Sequence, residues 1–241
     1  MWRHGVLHAL RNRAGTLLRR EGPTSLLRHT VAFAAFLARR IAYSRTAYLY
    51  QHSLAQWDRE DFLPRVTSWE LRILHSNVEA DCVAAEGLED VRDAFVFSRR
   101  SLDKGAVAFC VYVDGELAHV GWVAVDAAGK ECVDSMPFPV RFDEGEACTG
   151  ATYTIPKYRG RGLMPYGYFE RFCYLRQRGF TTSRNSVGMN NISSQKAHAR
   201  FNPTIYGIGH YRKVLRWRRW RMEELPGGPC RGMPPAAPGD S

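Results

Sequence analysis

The sequence lacks closely spaced cysteines. Its six, Cys82, Cys110, Cys132, Cys148, Cys173 and Cys230, lie singly, with no CxxC pair and no histidine at ligand spacing. A disulfide framework and a structural zinc site are therefore not expected, and buried thiols in a reducing cytoplasm are the plainer expectation. Long apolar runs are missing too. The longest, Val31 to Ala38, falls well short of the roughly 20 residues that cross a bilayer. Arg3, Arg11, Arg13, Arg19 and Arg20 cut the first twenty residues, so no secretory signal is expected there. Acids are nearly absent from the two ends: residues 1–45 hold nine arginines against Glu21, and Arg212 to Arg221 hold six cations and no acid.

What is present is 241 residues, 45% of them hydrophobic, enough for one sizeable α/β domain and an extension. The net charge of +10 is concentrated at the ends, and the middle of the chain is slightly acidic. In the first block the arginines alternate with Leu17, Leu18, Leu26, Leu27, Phe33, Phe36 and Leu37, the pattern of basic amphipathic helices. Such helices can pack on a domain and leave their arginines solvated, or lie on an anionic membrane face through residues 1–45. Nucleic acid ranks third, because no base-stacking motif accompanies the charge.

Three regions separate along the chain. Residues 1–61 read as a helical, Arg-rich extension. Residues 64–222 alternate strands with helices. Residues 226–241, rich in Gly and Pro, cannot bury a core and read as disordered. Within the middle region Trp69–Leu74 reads as a strand and Leu88–Asp103 as a helix. Val107–Val113 and Leu117–Val125 flank Asp114-Gly115, a hairpin signal, and the apolar character of both faces places the pair inside a sheet. Glu146–Ile155 reads as a strand, Leu163–Arg178 as a helix stopped by Gly179, and Phe180–Val187 as a strand. Asn191–Phe201 reads as a short helix and Ile205–Met222 as a closing strand pair. The fold class is mixed α/β, a central sheet with flanking helices.

The informative element is the turn Arg159-Gly160-Arg161-Gly162 between a strand and a helix. A helix opening straight from a strand leaves its first amides unpaired, glycines admit close approach, and two arginines add positive potential; together these suit a phosphate or pyrophosphate. A Walker loop and a dinucleotide fingerprint are excluded by spacing.

The run Lys157-Tyr158-Arg159-Gly160-Arg161-Gly162 resembles the Gln/Arg-x-x-Gly-x-Gly/Ala signature of the GNAT superfamily of acyl-coenzyme A-dependent N-acyltransferases, with Lys157 in the first position. Asn191-Ile192-Ser193-Ser194 is similar to that family's Asn-x-x-Ser segment. The resemblance covers residues 64–222 and implies a GNAT-like sheet, acetyl-CoA or another acyl-CoA as co-substrate, an amine acceptor and no metal. It implies that Arg159, Gly160, Arg161, Gly162 and Leu163 hold the pyrophosphate, that Thr154 and Ile155 line the pantetheine arm, and that Asn191 and Ser194 complete the coenzyme site. Where the family places a tyrosine acid, this chain has His198, expected to protonate the departing thiolate. Glu146, eleven residues before Lys157, is the expected general base, a solvated strand-start residue being the other reading of it. Cys148 and Cys173 read as structural thiols. The expected function is N-acyl transfer, acetyl foremost, to a primary amine in the cytoplasm. Two alternatives stay open: a non-catalytic GNAT-like membrane or interaction protein, and long-chain transfer from acyl-CoA or an acyl carrier protein.

Overall fold

The computed structural model describes residues 42–95 and 97–225. The basic segment 1–41 and the Gly/Pro tail 226–241 lie outside the described residues, and with them most of the expected helical extension.

Eight strands form one mixed sheet: β1 (Ala42–Ser53), β2 (Trp69–Leu74), β3 (Val107–Val113), β4 (Glu116–Ala124), β5 (Glu146–Thr154), β6 (Thr182–Gly188), β7 (Thr204–Val214) and β8 (Trp217–Glu224). Their order is β2-β3-β4-β5-β6-β1-β7-β8. The helices are α1 (Asn77–Ala85), α2 (Val91–Ala94), α3 (Ser98–Asp103), α4 (Ala127–Val133), α5 (Leu163–Gln177) and α6 (Ile192–Ala199). By packing, residues 46–210 and 220–225 group in one unit, and residues 42–45 and 211–219 in another.

The β3–β4 hairpin forms as its sequence dictates. Every residue of β3 is buried, and Asp114 and Gly115 take φ of 51° and 80°, the left-handed pair that a two-residue turn requires. The pair lies inside the sheet between β2 and β5. Helix α5 ends where Gly179 (φ 84°) lets the Phe180 amide return to the Leu175 carbonyl. Its inner side meets Phe62, Phe109, Phe201 and Leu54 through Tyr168, Phe169, Phe172 and Leu175. The ring of Phe62 stacks on Phe201 at 4.6 Å and on Phe169 at 5.4 Å, both at 13°. Each buried phenylalanine contributes about 1.5–3 kcal/mol relative to exposure, so this aromatic cluster anchors α5 to the sheet.

Two expectations are corrected. The extension does not remain helical to residue 61, and the sheet does not begin after residue 64. Ala42–Ser53 is a strand inside the sheet, paired antiparallel with β6 from Ala47↔Gly188 to Ser53↔Thr182. Its β-favouring residues Tyr43, Thr46, Tyr48 and Tyr50, and the burial of Ala47, Leu49, Tyr50 and His52, account for the choice. The single helix expected over 88–103 is instead α2 and α3, with Phe95 extended (φ −133°, ψ 111°) at the end of α2. The Asp90 carboxylate caps α2 through the Arg92 amide.

Candidate functional site

Strands β5 and β6 run parallel, but they are paired only from Glu146↔Thr182 to Cys148↔Arg184. Beyond that point the pairing ends, and side chains of neighbouring elements take up positions beside and between the two strands. On one side the Asp134 carboxylate, at the end of α4, accepts from the Ser186 amide at 3.0 Å and from its hydroxyl at 2.7 Å. On the α5 side one phenol bridges the fork: Tyr168 Oη lies 3.4 Å from Thr152 Oγ1 on β5 and accepts from Asn185 Nδ2 on β6 at 3.3 Å. Nearer the paired end, Thr149 Oγ1 and Ser183 Oγ are 2.9 Å apart.

The β5 backbone is irregular at the same level. Trp122 pairs with Gly150 and Val120 with Tyr153, so Ala151 and Thr152 together face Gly121, and Ala151 adopts φ 42°. This is a β-bulge with a non-glycine residue in the left-handed region, a conformation that costs energy and recurs at functional sites.

Under the bulge lies a fully buried guanidinium. Arg171 of α5 donates through Nε to the Gly167 carbonyl at 2.8 Å and through Nη1 to Thr152 Oγ1 at 3.1 Å. Its Cζ sits 3.7 Å from the Tyr168 ring centroid, and Nη2 has no partner among the described residues. Two glycines make the room. A Cβ on Gly121 would fall 2.6 Å from Arg171 Cζ, and one on Gly167 would fall 2.6 Å from His119 Nε2. His119 Nδ1 lies 2.8 Å from Thr154 Oγ1. Behind Tyr168 the network continues from Asn185 Nδ2 to His198 Nε2 at 3.2 Å and from His198 Nδ1 to His52 Nε2 at 3.1 Å. Burial, reinforced by the Arg171 charge, lowers His52 and His119 to about 3. Burial, then the neighbouring His52 and Arg171, holds His198 well below its ordinary range. All three imidazoles are therefore neutral near pH 7.

Past β5, Pro156–Tyr158 makes one 3-10 turn and the chain bends through 159–162 into α5. Gly160 and Gly162 have φ of 77° and 79°. The amides of residues 160–164 donate to no backbone acceptor among the described residues, and Pro165 has none to offer. Arg159, Gly160 and Arg161 are exposed, and a Cβ on Gly160 would meet nothing within 4 Å, so the backbone faces open space. The Arg161 carbonyl accepts from the Arg65 amide at 2.7 Å, and Leu163 is buried beside Val111, Ala118 and Tyr166, which hold the bend from its other side. Unpaired amides at the start of a 15-residue helix are an arrangement whose geometry and dipole suit an anion.

Not every expected residue joins this arrangement. Thr154 borders it through His119, and its carbonyl accepts from Arg159 Nε at 3.2 Å, while the Ile155 amide is spent on the Ala118 carbonyl. Lys157 is ion-paired with Glu116, which also accepts from Tyr158 Oη at 2.7 Å. Asn191 caps α6, its Oδ1 accepting from the Ser194 amide at 3.1 Å, which gives both residues a local structural task.

Glu146 and His198 depart from the roles expected of them. Glu146 opens β5, roughly 25 Å of strand from its far end. Its carboxylate accepts from Arg184 Nη2 at 2.6 Å, the Arg141 amide at 2.8 Å and Arg141 Nη2 at 3.2 Å. Burial alone would raise its pKa, but the bonds from Arg184 and Arg141 outweigh it and the net direction is down. A low-pKa carboxylate engaged by two arginines is a poor base, so the structure makes Glu146 a clasp on the β5–β6 start. His198 is enclosed, burial disfavours its charged form, and both nitrogens are within hydrogen-bond distance of Asn185 and His52, which suits it poorly to act as an imidazolium donor. Cys148 and Cys173 are thiols raised by burial, as expected of structural cysteines. No cluster of His, Cys, Asp or Glu that could hold a metal occurs among the described residues, and no helix there is long and apolar enough to cross a membrane.

Sequence reasoning missed Tyr168, Arg171, His119 and Asn185. The apolar positions of α5 point Tyr168 inward, but nothing local marks its hydroxyl as bridging two strands.

The fold and site define a class: a mixed-sheet α/β protein with a forked parallel strand pair and, at a helix start, a turn whose amides are unpaired. No family model and no curated protein matches the sequence. Among solved structures the chain is similar to a GNAT-family acetyltransferase of Colwellia psychrerythraea, at 17% identity over 72% of this chain and 57% of that one, TM-score 0.40. It is similar to a tandem GNAT protein of the clavulanic acid biosynthesis pathway, at 17% identity over 78% and 56%, TM-score 0.40. A Drosophila protein is matched at 14% identity over 77% and 57%, TM-score 0.43. The chain thus spans little more than half the length of each.

Proposed function

We propose that the protein is a coenzyme A-dependent N-acyltransferase that moves an acyl group, acetyl in the simplest case, to a primary amine by direct attack. The observation that carries this reading is the opening of β5 from β6 after Cys148, followed along the same strand by a turn with unpaired amides at 160–164. An extended pantetheine arm can pair with the freed β5 edge while its pyrophosphate reaches that turn.

In the reaction the amine nitrogen bonds to the thioester carbonyl carbon, the carbon–sulfur bond breaks, nitrogen loses a proton and sulfur gains one. The Gly160–Met164 amides bind and orient the diphosphate, with the Arg159 and Arg161 side chains adding charge. Tyr168 takes the proton-donor role expected of His198. Its oxygen accepts from Asn185 and Thr152, its own proton meets no acceptor among the described residues, and it lies in the fork between those two side chains. The Asn185–His198–His52 chain orients it. A cytoplasmic location goes with this reading and with the free cysteines.

Isothermal titration of the full chain with acetyl-CoA tests the proposal. Saturable binding is expected, weakened at least roughly tenfold by Gly162→Val. No binding at about millimolar ligand overturns it. The engagement of Glu146 favours one second reading, a coenzyme-binding protein without turnover. Thiol release across an amine panel separates the two.

A further inference from the structure

The β7–β8 hairpin carries a feature that folding does not explain. Its turn is Leu215-Arg216, and Leu215 sits at φ 55° with 67% of its surface exposed. A leucine gains nothing from either condition: the left-handed region penalises its Cβ, and water penalises its side chain. Asparagine or glycine would serve the turn better on both counts. Val214 and Trp217, which flank the turn, are 47% and 54% exposed.

Around this apolar tip the charge is of one sign. Residues 211–219 contain Arg212, Lys213, Arg216, Arg218 and Arg219 and no acid. None of the five forms an ion pair among the described residues; Arg221, further along β8, is the first to find an acid, Glu223 at 3.1 Å. The foot of the hairpin is fixed by an edge-on contact of Tyr43 with Tyr211 at 6.0 Å.

We propose that residues 212–219 form a docking tip for an anionic lipid bilayer, with Val214, Leu215 and Trp217 entering the interfacial layer and the five cations resting on acidic headgroups. The charge complements either a membrane or a nucleic acid, but the tip discriminates. Valine and leucine have no π face for a base and gain nothing beside phosphates, whereas an indole with two aliphatic side chains amid arginines is the composition of an interfacial anchor. The inference is independent of the acyltransferase reading and needs no coenzyme.

The test is co-sedimentation of the full chain with phosphatidylcholine vesicles with and without phosphatidylglycerol, for wild type, Leu215→Asn, Trp217→Ser and the double variant Arg216→Glu/Arg218→Glu. Binding is expected only to the anionic vesicles and should weaken with salt. Leu215→Asn should leave the thermal midpoint unchanged or raise it while weakening the partition severalfold, and the double charge reversal should weaken it roughly tenfold or more. Equal binding to neutral vesicles overturns the proposal. So does wild-type binding by the Leu215 and Trp217 variants, which would shift the contact to the basic segment 1–41. A single-stranded oligonucleotide that binds wild type and Leu215→Asn alike, with no vesicle binding, also overturns it and makes the tip a nucleic-acid surface.

Discussion

Acidification from about pH 7.5 to about pH 5 should remove a large share of this protein's stability. His52 and His119 are fully buried, and burial with the Arg171 charge drops both to about 3, against about 6.5 in the unfolded chain. Because the folded values are depressed, the unfolded state binds more protons at every pH between 3 and 6.5, and stability falls as pH falls through that window. At pH 5 each imidazole has lost about 1.5 pH units of linkage, or about 2 kcal/mol. The pair removes about 4 kcal/mol, from a total that is typically about 5–15 kcal/mol. His198 is shifted in the same direction and adds to the loss. The carboxylates of Glu146 and Asp90, lowered by their arginine partners, lose stability only below their ordinary values near 4, so the range from 5 to 6.5 isolates the histidines. Urea midpoints at several pH values measure the slope, and His119→Gln should reduce it by about one proton whatever its own cost. A flat midpoint from pH 7 to pH 5, or an unchanged slope in His119→Gln, would refute the placement of neutral imidazoles around Arg171.

Gly121→Ala should destabilise the fold by about 1–3 kcal/mol through overpacking, because its Cβ meets the Arg171 guanidinium at 2.6 Å; a denaturation midpoint equal to wild type would contradict that contact. Asn191→Ala should cost about 1 kcal/mol through the lost α6 cap, read by thermal melting, with coenzyme affinity unchanged if capping is its only task. Glu146→Gln should cost about 2–4 kcal/mol by leaving Arg184 poorly paired while thiol release persists in the folded fraction; loss of turnover at full stability would restore it as a base. Tyr168→Phe should lower kcat by about tenfold or more with little change in KM, and equal loss in both would indicate a positional effect instead.

The glycine turn at the start of α5 was legible because its cues are local. Arg159-Gly160-Arg161-Gly162 lies between a β-rich run and a helix whose glycine stop is four turns on, and the observed left-handed φ at both glycines follows from residue type. The β3–β4 hairpin was legible for the same reason. Helices α1 and α4 were missed although Ser76-x-x-Glu79 and Asp126-x-x-Gly129 precede them, with side-chain oxygens that do cap their third amides. Strand β1 was misassigned because Ala42, Arg45 and Ala47 continue the composition of the preceding segment, and its partners, β6 and β7, lie more than a hundred residues away.

The sequence alone therefore determined the alternation of strands and helices, the charge blocks and the turn built to expose amides, since each depends on residues within a few positions of one another. The tertiary structure alone decided the partners and protonation of these side chains. It inserted Arg184 between Glu146 and a base role, enclosed His198 until its charged form became too costly, and brought the Tyr168 hydroxyl between Thr152 and Asn185. Protonation depends on desolvation and on partners set by long-range packing, and no spacing along one chain encodes how deeply a side chain will be buried.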